Sequence, residues 1–448
     1  MTLLRTTTHE FRHTVLDEAD VVFDWHGRPG AFQRLVPPWQ PVRVAEEAQG
    51  LAGGTAVLDF PAGRRWVAQH LPEEYVAGHR FADRLVSRPF VVPVSWHHRH
   101  DFESVGEGTT VIDRVTTTLP KRLLEPMFAY RQRQLADDLA AHRSAAGTPR
   151  LTVAVTGASG LVGSAVSAFL TTGGHTVVRL VRHRPTAPDE RAWDPDDPDP
   201  ASLAGVDAVV HLAGHSIAGR FTDRHKEQIR GSRIGPTRLL ARASAKAGVG
   251  VFVCASAIGI YGADRGEEVL TEDATTGDDF LAHVVRDWEE AALTPVDAEM
   301  RVVLVRTGIV QSPRGGALRL QRPLFATGLG GPMGSGEQWQ SWIAIDDLVD
   351  IYHRALVDTG LSGPVNAVAP APLRQRAYAA ALGRALHRPA ILPTPSFGPR
   401  LLLGREGAQE VAFANQRVVP QRLLGLGHRF RFVEAEQALR HVLGSVRT

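Results

Sequence analysis

Residues 151–163 (LTVAVTGASGLVG) combine an apolar run with three regularly spaced glycines, and this combination constrains the fold more than any other segment. Residues 151–155 have the composition of a buried parallel strand, and residues 161–170 predict a helix. The glycines follow a G-x-x-G-x-x-G spacing and are Gly157, Gly160 and Gly163. A strand, a glycine turn and a helix N-terminus form an anion site, because free N–H groups and the helix dipole face the same point.

Each glycine has a predicted task in such a site. Gly157 permits the tight turn, Gly160 lets a pyrophosphate approach the backbone, and Gly163 lets the helix lie close to the sheet. The chain has 43 glycines, so the spacing alone is weak, but its strand–helix context favours a dinucleotide site over a βα turn without a ligand. The predicted cofactor-binding residues are Gly157, Ala158, Ser159, Gly160, Leu161, Val162, Gly163, Arg182, Leu212, Ala213 and Gly214.

The second predicted strand, residues 175–182, ends in the basic sequence Arg182-His183-Arg184. A site for NAD usually has an Asp or Glu near this strand end, and no acidic residue lies between Gly157 and Pro188. Guanidinium groups bind phosphate with two parallel hydrogen bonds, so the basic end favours NADP(H) through its 2′-phosphate. The alternative is that these arginines are solvated residues at the start of a loop.

Composition excludes several classes of function. The chain has 448 residues, enough for two or three domains, and its net charge is +2 with no Lys/Arg run of five, so we expect no nucleic-acid partner. Cys254 is the single cysteine, which excludes a disulfide framework. The first residues lack the apolar core of a signal peptide, and no run of 18 apolar residues occurs, so we expect a cytoplasmic protein without a membrane span.

Residues 1–146 predict an α+β domain of short alternating strands, with helices at 18–25 and 123–142, and a linker at 144–150. This pattern of short strands and two helices, together with residues 19–26 (ADVVFDWH) and 37–39 (PPW), resembles the START-like, helix-grip (polyketide-cyclase-like) domains. The resemblance implies an apolar cavity and therefore an apolar ligand. His97, His98 and His100 suggest a metal site. On a strand, however, only His98 and His100 share one face, and no third ligand is evident, so we expect exposed strand histidines and no metal.

Residues 151–362 alternate strands and helices, as a doubly wound α/β domain does. Further strands are predicted at 207–212, 251–256 and 302–306, and helices at 222–247 and 278–293. Residues 363–448 form a third predicted segment, a helical cap with helices at 373–386 and 433–442, which completes the substrate side.

Several motifs in this order resemble an extended or atypical short-chain dehydrogenase/reductase (SDR). They are TGASGLVG (156–163), HLAG (211–214), SAIGIYG (256–262), LVRTGIV (304–310) and WIAIDDLVD (342–350). The set is most similar to an epimerase-like family whose members are often labelled cell-division inhibitors. The resemblance implies an α/β Rossmann fold with a C-terminal helical cap. It implies that residues 212–214 lie under the cofactor ribose, and that Ser256 faces the nicotinamide and the substrate.

The chain departs from this superfamily at its catalytic pair, Tyr-x-x-x-Lys. Four residues before its three lysines, which are Lys121, Lys226 and Lys246, stand Thr117, Thr222 and Arg242. Ser256 and Tyr261 are the candidate replacements, because both follow the strand end where the nicotinamide is expected. For Tyr261 the alternative is a packed aromatic residue in a turn.

Four residues are predicted to contact the substrate. Arg233 binds an anionic group or pairs with a helix carboxylate, and Trp339, Gln340 and Trp342 form a wall, unless the tryptophans are core residues. Three functions follow from the sequence: an NADP(H)-dependent reductase or epimerase acting on a small carbonyl or sugar-like substrate, a catalytically idle NADPH-binding regulator, and a reductase supplied with a lipid or polyketide by residues 1–146. The sequence does not fix the oligomeric state.

Overall fold

The computed structural model describes residues 5–90, 93–294, 299–393 and 397–445. The chain divides into two compact units. Unit 1 comprises residues 1–147, 168–174 and 444–448, and unit 2 comprises residues 148–167 and 175–443. No helix in the described ranges is both long enough and apolar enough to cross a membrane.

Unit 1 contains a seven-stranded antiparallel sheet with the strand order β1-β7-β6-β5-β4-β3-β2. Its elements are β1 (Thr7–Val15), α1 (Ala19–Gly27), α2 (Ala31–Leu35), β2 (Arg43–Glu46), β3 (Thr55–Phe60), β4 (Arg64–His70), β5 (Arg80–Leu85), β6 (Trp96–Val105), β7 (Gly108–Thr117) and α3 (Lys121–Ser144). The predicted short strands form this sheet, both predicted helices are present as α1 and α3, and α2 is additional.

One face of this sheet packs against α1 and α3. Leu135 and Leu139 of α3 are four residues apart, so they lie on one side of the helix, and they join Phe23 and Trp25 of α1 in a buried cluster. The arrangement is an antiparallel sheet covered by helices, and the START-like identity of this unit stays a prediction.

The prediction that the strand histidines are exposed is wrong. His98 and His100 are 4 % and 3 % exposed, and only His97, which pairs with Glu74, is half-buried. His98 and His100 lie two residues apart on β6, so both point to one face of the sheet, and that face is the covered one.

Unit 2 is built on a seven-stranded parallel sheet with the order β10-β9-β8-β11-β12-β14-β18. Its first half comprises β8 (Thr152–Thr156), α4 (Leu161–Thr172, of which residues 168–172 are counted with unit 1), β9 (Thr176–Val181), β10 (Glu190–Ala192), β11 (Ala208–His211), α5 (Asp223–Gly231), α6 (Ile234–Lys246), β12 (Val251–Ala257), β13 (Asp264–Leu270), α7 (Phe280–Ala292) and β14 (Arg301–Thr307). The chain continues through β15 (Ile309–Gln311), α8 (Gly316–Ala326), β16 (Trp339–Gln340), β17 (Trp342–Ala344), α9 (Ile345–Val357), β18 (Gly363–Ala367), β19 (Leu373–Arg374), α10 (Gln375–Ala385), α11 (Phe397–Gly407), β20 (Asn415–Val418), α12 (Gln421–Gly425) and α13 (Ala435–Leu443).

The strand order fixes where a ligand site can lie. The chain passes from β8 to β9 on one side and later returns to β11 on the other side of β8, so β8 and β11 flank the point at which the winding reverses. In open parallel sheets this reversal leaves a crevice at the carboxyl ends of the strands. The turn after β8 therefore lies at the expected position for a ligand site, and the doubly wound α/β fold agrees with the sequence prediction.

The helix predicted over residues 222–247 is instead two helices, α5 and α6, separated at Ser232 and Arg233. Gly231 ends α5, and Pro236 lies in the first turn of α6, where its missing N–H costs nothing. In one continuous helix the Pro236 ring would clash with the carbonyl group of Ser232. The break places Arg233 at a helix N-terminus.

Candidate functional site

The turn between β8 and α4 is held in a shape that requires glycine at two positions. Gly157 has φ +66°, and a Cβ there would lie 2.9 Å from the carbonyl carbon and oxygen of Leu212. A Cβ on Gly163 would overlap the carbonyl oxygen of Gly157, so α4 approaches the turn closely only because residue 163 is glycine. These two distances agree with the tasks predicted for both residues.

Gly160 differs, because a side chain there would meet only one atom of the turn. Its N–H donates to the Gly157 carbonyl at 2.9 Å, and a Cβ would meet that oxygen alone, at 3.1 Å. Ser159 and Gly160 are exposed, and Leu161 begins α4 immediately after them. The backbone in front of the helix N-terminus is therefore open, and it fits a pyrophosphate, since the first N–H groups of a helix lack intrahelical partners.

The end of β11 is fixed to β8 by Thr156. Its hydroxyl oxygen accepts the N–H groups of Leu212 (3.0 Å) and Ala213 (3.2 Å), so its own proton is donated to Nδ1 of His211 at 2.7 Å. Nε2 of His211 then carries the ring proton and donates to Thr237 at 2.9 Å. The predicted segment Leu212-Ala213-Gly214 is thereby held beside the glycine turn.

His211 is completely buried between these two hydroxyl groups. Burial, with a smaller contribution from the charge of Arg233, lowers the pKa of His211 to about 4. The imidazole is therefore neutral at physiological pH, and its two nitrogen atoms serve one as acceptor and one as donor.

The carboxyl end of β9 presents free positive charge. Arg182 and Arg184 are exposed, and neither pairs with a carboxylate in the part of the chain that the structure describes. Arg179, three residues earlier, is instead bound by Asp189 through two hydrogen bonds of 2.6 and 2.8 Å. Arg182 and Arg184 border an open groove of about 920 Å³, which is also lined by the acidic residues Glu190, Asp194, Asp197 and Asp199.

Arg233 lies beside the end of β11. A Cβ on Gly214 would be 3.2 Å from the Arg233 guanidinium carbon, which also lies 5.2 Å from the centre of the Trp288 ring. Burial lowers the pKa of Arg233 to about 10. Within the described ranges it donates to the Ile229 carbonyl (3.1 Å) and weakly to Ser232, and to no carboxylate. Of the two predicted roles, the pairing with a helix carboxylate is not seen.

Ser256 and Tyr261 belong to one buried hydrogen-bond network. Ser256 is the penultimate residue of β12 and donates to Oε1 of Glu289 at 2.6 Å, and Glu289 accepts two bonds of 2.8 Å from Arg306. Nη1 of Arg306 donates to the Tyr261 hydroxyl at 3.0 Å, and that hydroxyl donates to Oδ1 of Asn366 at 2.6 Å. Both hydroxyl protons are thus donated to groups of the protein itself.

The network determines how Tyr261 ionises. Burial raises the pKa of Tyr261 and outweighs the neighbouring guanidinium of Arg306, which lowers it. Burial opposes the charge on Arg306, but its hydrogen bonds to Glu289 and the charge of Glu289 prevail and raise the pKa of Arg306. Arg306 therefore stays charged and Tyr261 stays a neutral phenol. The catalytic roles of Ser256 and Tyr261 stay predictions.

Sequence reasoning missed Glu289, Arg306 and Asn366. Arg306 and Asn366 are polar residues at the carboxyl ends of the otherwise apolar strands β14 and β18, and Glu289 is a carboxylate on the buried side of α7. A polar residue at the end of a buried parallel strand is the signal that would have found the first two.

The three residues predicted to form a substrate wall differ in how deeply they are buried. Trp342 is 1 % exposed, donates to the Ala371 carbonyl at 3.0 Å and lies in a buried apolar cluster, so the prediction that it contacts substrate is replaced by core packing. Gln340 is also buried. Trp339 is partly exposed, and the centre of its ring lies 4.1 Å from the guanidinium carbon of Arg374 and 4.6 Å from that of Arg417. Its role in substrate binding stays a prediction.

Two family models match unit 2. The NAD dependent epimerase/dehydratase family matches residues 153–367, and a domain of unknown function, DUF1731, matches residues 394–442. The epimerase family protein Mb2239 of Mycobacterium bovis is 43 % identical over 290 residues, which is 64 % of this chain and 96 % of that protein. The epimerase family protein SDR39U1 of Homo sapiens is 36 % identical over 297 residues, 65 % of this chain and 99 % of that protein.

Two solved structures are similar to the chain. A nucleoside-diphosphate sugar epimerase from Corynebacterium glutamicum has a TM-score of 0.86 and 43 % identity, and the match covers 97 % of this chain and 90 % of that chain. Human SDR39U1 (isoform 2), solved with NADPH, has a TM-score of 0.61 and 34 % identity over 66 % of this chain and 100 % of that chain. The chain thus belongs to the NAD-dependent epimerase/dehydratase family within the SDR superfamily.

Proposed function

We propose that the protein binds NADP(H) at the turn between β8 and α4 and acts as a reductase or epimerase on a small carbonyl or sugar-like substrate. The observation that supports this proposal most is the open N-terminus of α4 behind Ser159 and Gly160. It lies next to the end of β9, where Arg182 has no carboxylate partner in the described ranges. The NADPH in the structure of a human relative supports the choice of cofactor.

The residues have separate tasks in this proposal. Residues 157–163 bind the pyrophosphate, Arg182 binds the 2′-phosphate, and residues 212–214, fixed by Thr156, support the ribose. The dinucleotide supplies or accepts a hydride. Arg233 binds an anionic group of the substrate, since its guanidinium is partly buried and donates to no carboxylate in the described part of the chain.

Ser256 and Tyr261 are the proposed donors to the substrate oxygen. A donor aimed at the developing alkoxide stabilises the transition state, and each of these side chains carries one hydroxyl proton. To serve, Ser256 has to turn from Glu289, or Tyr261 from Asn366. Arg306 remains beside Tyr261 as the positive charge that the superfamily's lysine otherwise supplies.

The experiment is a panel of small aldehydes, ketones and keto-sugars, with NADPH oxidation followed by its fluorescence. We expect at least one carbonyl compound to be reduced. We also expect Arg233→Gln to slow the reduction of anionic substrates more than that of neutral ones. Arg238→Gln is the matched control, because Arg238 is exposed on the same helix, α6. Oxidation of no compound in the panel would overturn the reductase part of the proposal.

A second candidate is a catalytically idle NADPH-binding regulator. The observation in its favour is that both candidate hydroxyl protons are donated to buried acceptors, Glu289 and Asn366. Tight NADPH binding combined with no turnover on the panel would favour this candidate over the reductase.

Unit 1 supports a third element of the proposal, an apolar ligand. A cavity of about 380 Å³ lies among apolar side chains that include Leu35, Leu58, Trp66 and Met127. A cavity of this size suits a small apolar molecule.

We expect a fluorescent naphthalene-sulfonate probe to bind the full chain, and Ala56→Leu to weaken the binding of the probe by filling the cavity. Val105→Leu, at an exposed position of β6, is the control. Equal probe binding by all three proteins would place the probe outside the cavity.

A further inference from the structure

Four polar side chains meet on the covered face of the unit 1 sheet. His98 and His100 share one face of β6, and the antiparallel register pairs His98 with Asp83 of β5 and His100 with Asp113 of β7. Residues directly opposite each other on neighbouring strands point to the same side. The two imidazoles and two carboxylates therefore form one cluster, in a sheet whose other inward residues are largely apolar and aromatic.

Asp113 contacts the outer nitrogen atom of each ring. Its Oδ1 atom lies 2.9 Å from Nε2 of His98 and 2.8 Å from Nδ1 of His100. Asp113 is 3 % exposed, so its carboxylate is buried against the two rings. With Asp113 in this position, the other ring nitrogens, Nδ1 of His98 and Nε2 of His100, point away from it.

Asp83 lies near the remaining nitrogen of His98 and close to the His100 ring. Nδ1 of His98 lies 3.7 Å from Oδ2 of Asp83, and one ligand atom from each of Asp83, His98 and His100 lies within 4.8 Å of the others. Tetrahedral zinc with bonds of about 2.0–2.1 Å holds its ligands roughly 3.3 Å apart. The observed separations come within about 1.5 Å of that spacing, which small rotations of Asp83, the least buried member, can close.

The rings are also held in place by their neighbours. His100 stacks on Phe81 with ring centres 4.1 Å apart, and Trp96 packs edge-on against His98 at 5.7 Å. A carboxylate that binds the outer nitrogen of a metal-bound histidine fixes the ring and makes it a better ligand. Asp113 makes this hydrogen bond to Nε2 of His98 and lies 2.8 Å from Nδ1 of His100, so the cluster has the composition of metal ligands with a supporting carboxylate.

We propose that Asp83, His98 and His100 bind one divalent transition-metal ion of the zinc class. Two imidazoles and one carboxylate are a ligand set for zinc and its neighbours, and three protein ligands leave a coordination position open. The three side chains line the 380 Å³ cavity, and so does Arg131. The open position therefore faces the cavity, where it takes a water molecule or an oxygen atom of a cavity ligand.

The test uses the untagged full chain, freed of metal with a chelator and then titrated with Co²⁺. We expect visible d–d absorption that saturates at one Co²⁺ per chain and is removed by competing Zn²⁺. The double variant H98A/H100A loses these bands, and Asp113→Asn weakens binding by roughly 10–100-fold, the usual effect of losing a supporting carboxylate.

His97→Ala is the matched control, because His97 lies between the two proposed ligands in sequence but pairs with Glu74 on the other face. It should bind Co²⁺ like the unmodified chain. If the double variant does not fold by circular dichroism, Asp83→Asn decides the question, since Asp83 is partly exposed and its loss should reduce affinity and shift the bands. Absence of saturable absorption, or equal binding by the control and the ligand variants, would overturn the site.

Discussion

The Ser256 hydroxyl lies 2.6 Å from Oε1 of Glu289. While this hydrogen bond is made, the Ser256 proton stabilises the fold and cannot be donated to a substrate. Ser256→Ala removes a donor to a charged acceptor, and we expect it to lower the free energy of unfolding by about 1–3 kcal/mol. If Ser256 also donates to the substrate oxygen, turnover of a carbonyl substrate falls by about 10²–10³. Urea unfolding and NADPH oxidation measure the two effects separately.

The control for this change is Ser244→Ala. Ser244 is equally buried and donates to the Leu240 carbonyl at 2.8 Å on α6, away from the network. It should affect stability but leave turnover unchanged. Full turnover by Ser256→Ala would assign Ser256 a purely structural role.

Tyr261→Phe removes the hydroxyl that links Arg306 to Asn366. We expect a loss of about 1–3 kcal/mol in the free energy of unfolding, because Oδ1 of Asn366 loses its donor in a fully buried position. Tyr378→Phe is a comparable change, since the Tyr378 hydroxyl donates to Gln311 at 2.8 Å and is also buried. A role of Tyr261 in proton transfer requires Tyr261→Phe, and not Tyr378→Phe, to reduce turnover beyond what its stability explains.

Gly160→Val should abolish dinucleotide binding and leave the fold intact. The turn has room for a side chain at residue 160 apart from the Gly157 carbonyl oxygen at 3.1 Å, but that side chain would occupy the space in front of the helix N-terminus. Gly425→Val, at a position with no atom within 4 Å of a new Cβ, is the control. Both variants should melt like the unmodified chain, and NADPH titration should distinguish them. Normal binding by Gly160→Val would place the site elsewhere.

Stability should fall as the pH drops below neutrality, in part through His211. Its pKa is about 4 in the folded chain because of burial, against about 6.5 in an unfolded chain, so the unfolded state binds more protons between these values. The stability is therefore fully present above pH 6.5 and is lost as the pH falls towards 4, by about 2 kcal/mol at pH 5 for this residue. Other histidines with a pKa lowered to about 4 by burial are His26, His175 and His428.

The measurement is the slope of unfolding free energy against pH between 5 and 6.5. His211→Gln should show a shallower slope than the unmodified chain, by up to one proton. An unchanged slope would mean that His211 is protonated to the same extent in both states.

The local part of the cofactor site was predictable from the sequence because it is encoded in adjacent residues. The strand β8, the turn and the first turns of α4 occupy about 15 consecutive positions, and the positive φ of Gly157 together with the close packing of Gly163 leaves few alternatives to glycine. The basic end of β9 follows from the same reasoning, since it is the next strand along the chain.

The contacts between distant positions were not predictable in this way. His98 and Trp342 carry the same local pattern whether they face solvent, a ligand or the core, and the decision depends on elements that lie far away in sequence. Asp113 and Asp83 reach His98 from separate strands, and Ala371 accepts the indole proton of Trp342. The sheet register brings the two aspartates to His98, and the loop between β18 and β19 brings Ala371 to Trp342.

The most direct test of the account is calorimetric titration of the chain and of Arg182→Ala with NADPH and with NADH. We predict that the unmodified chain binds NADPH more tightly than NADH. We also predict that Arg182→Ala loses about 1–3 kcal/mol of binding free energy for NADPH, the scale of a hydrogen bond to a charged group, and little for NADH. Arg238→Ala, which removes an equal charge from the exposed side of α6, should bind both cofactors normally. Equal losses for NADPH and NADH in Arg182→Ala, or a preference for NADH in the unmodified chain, would contradict the assignment.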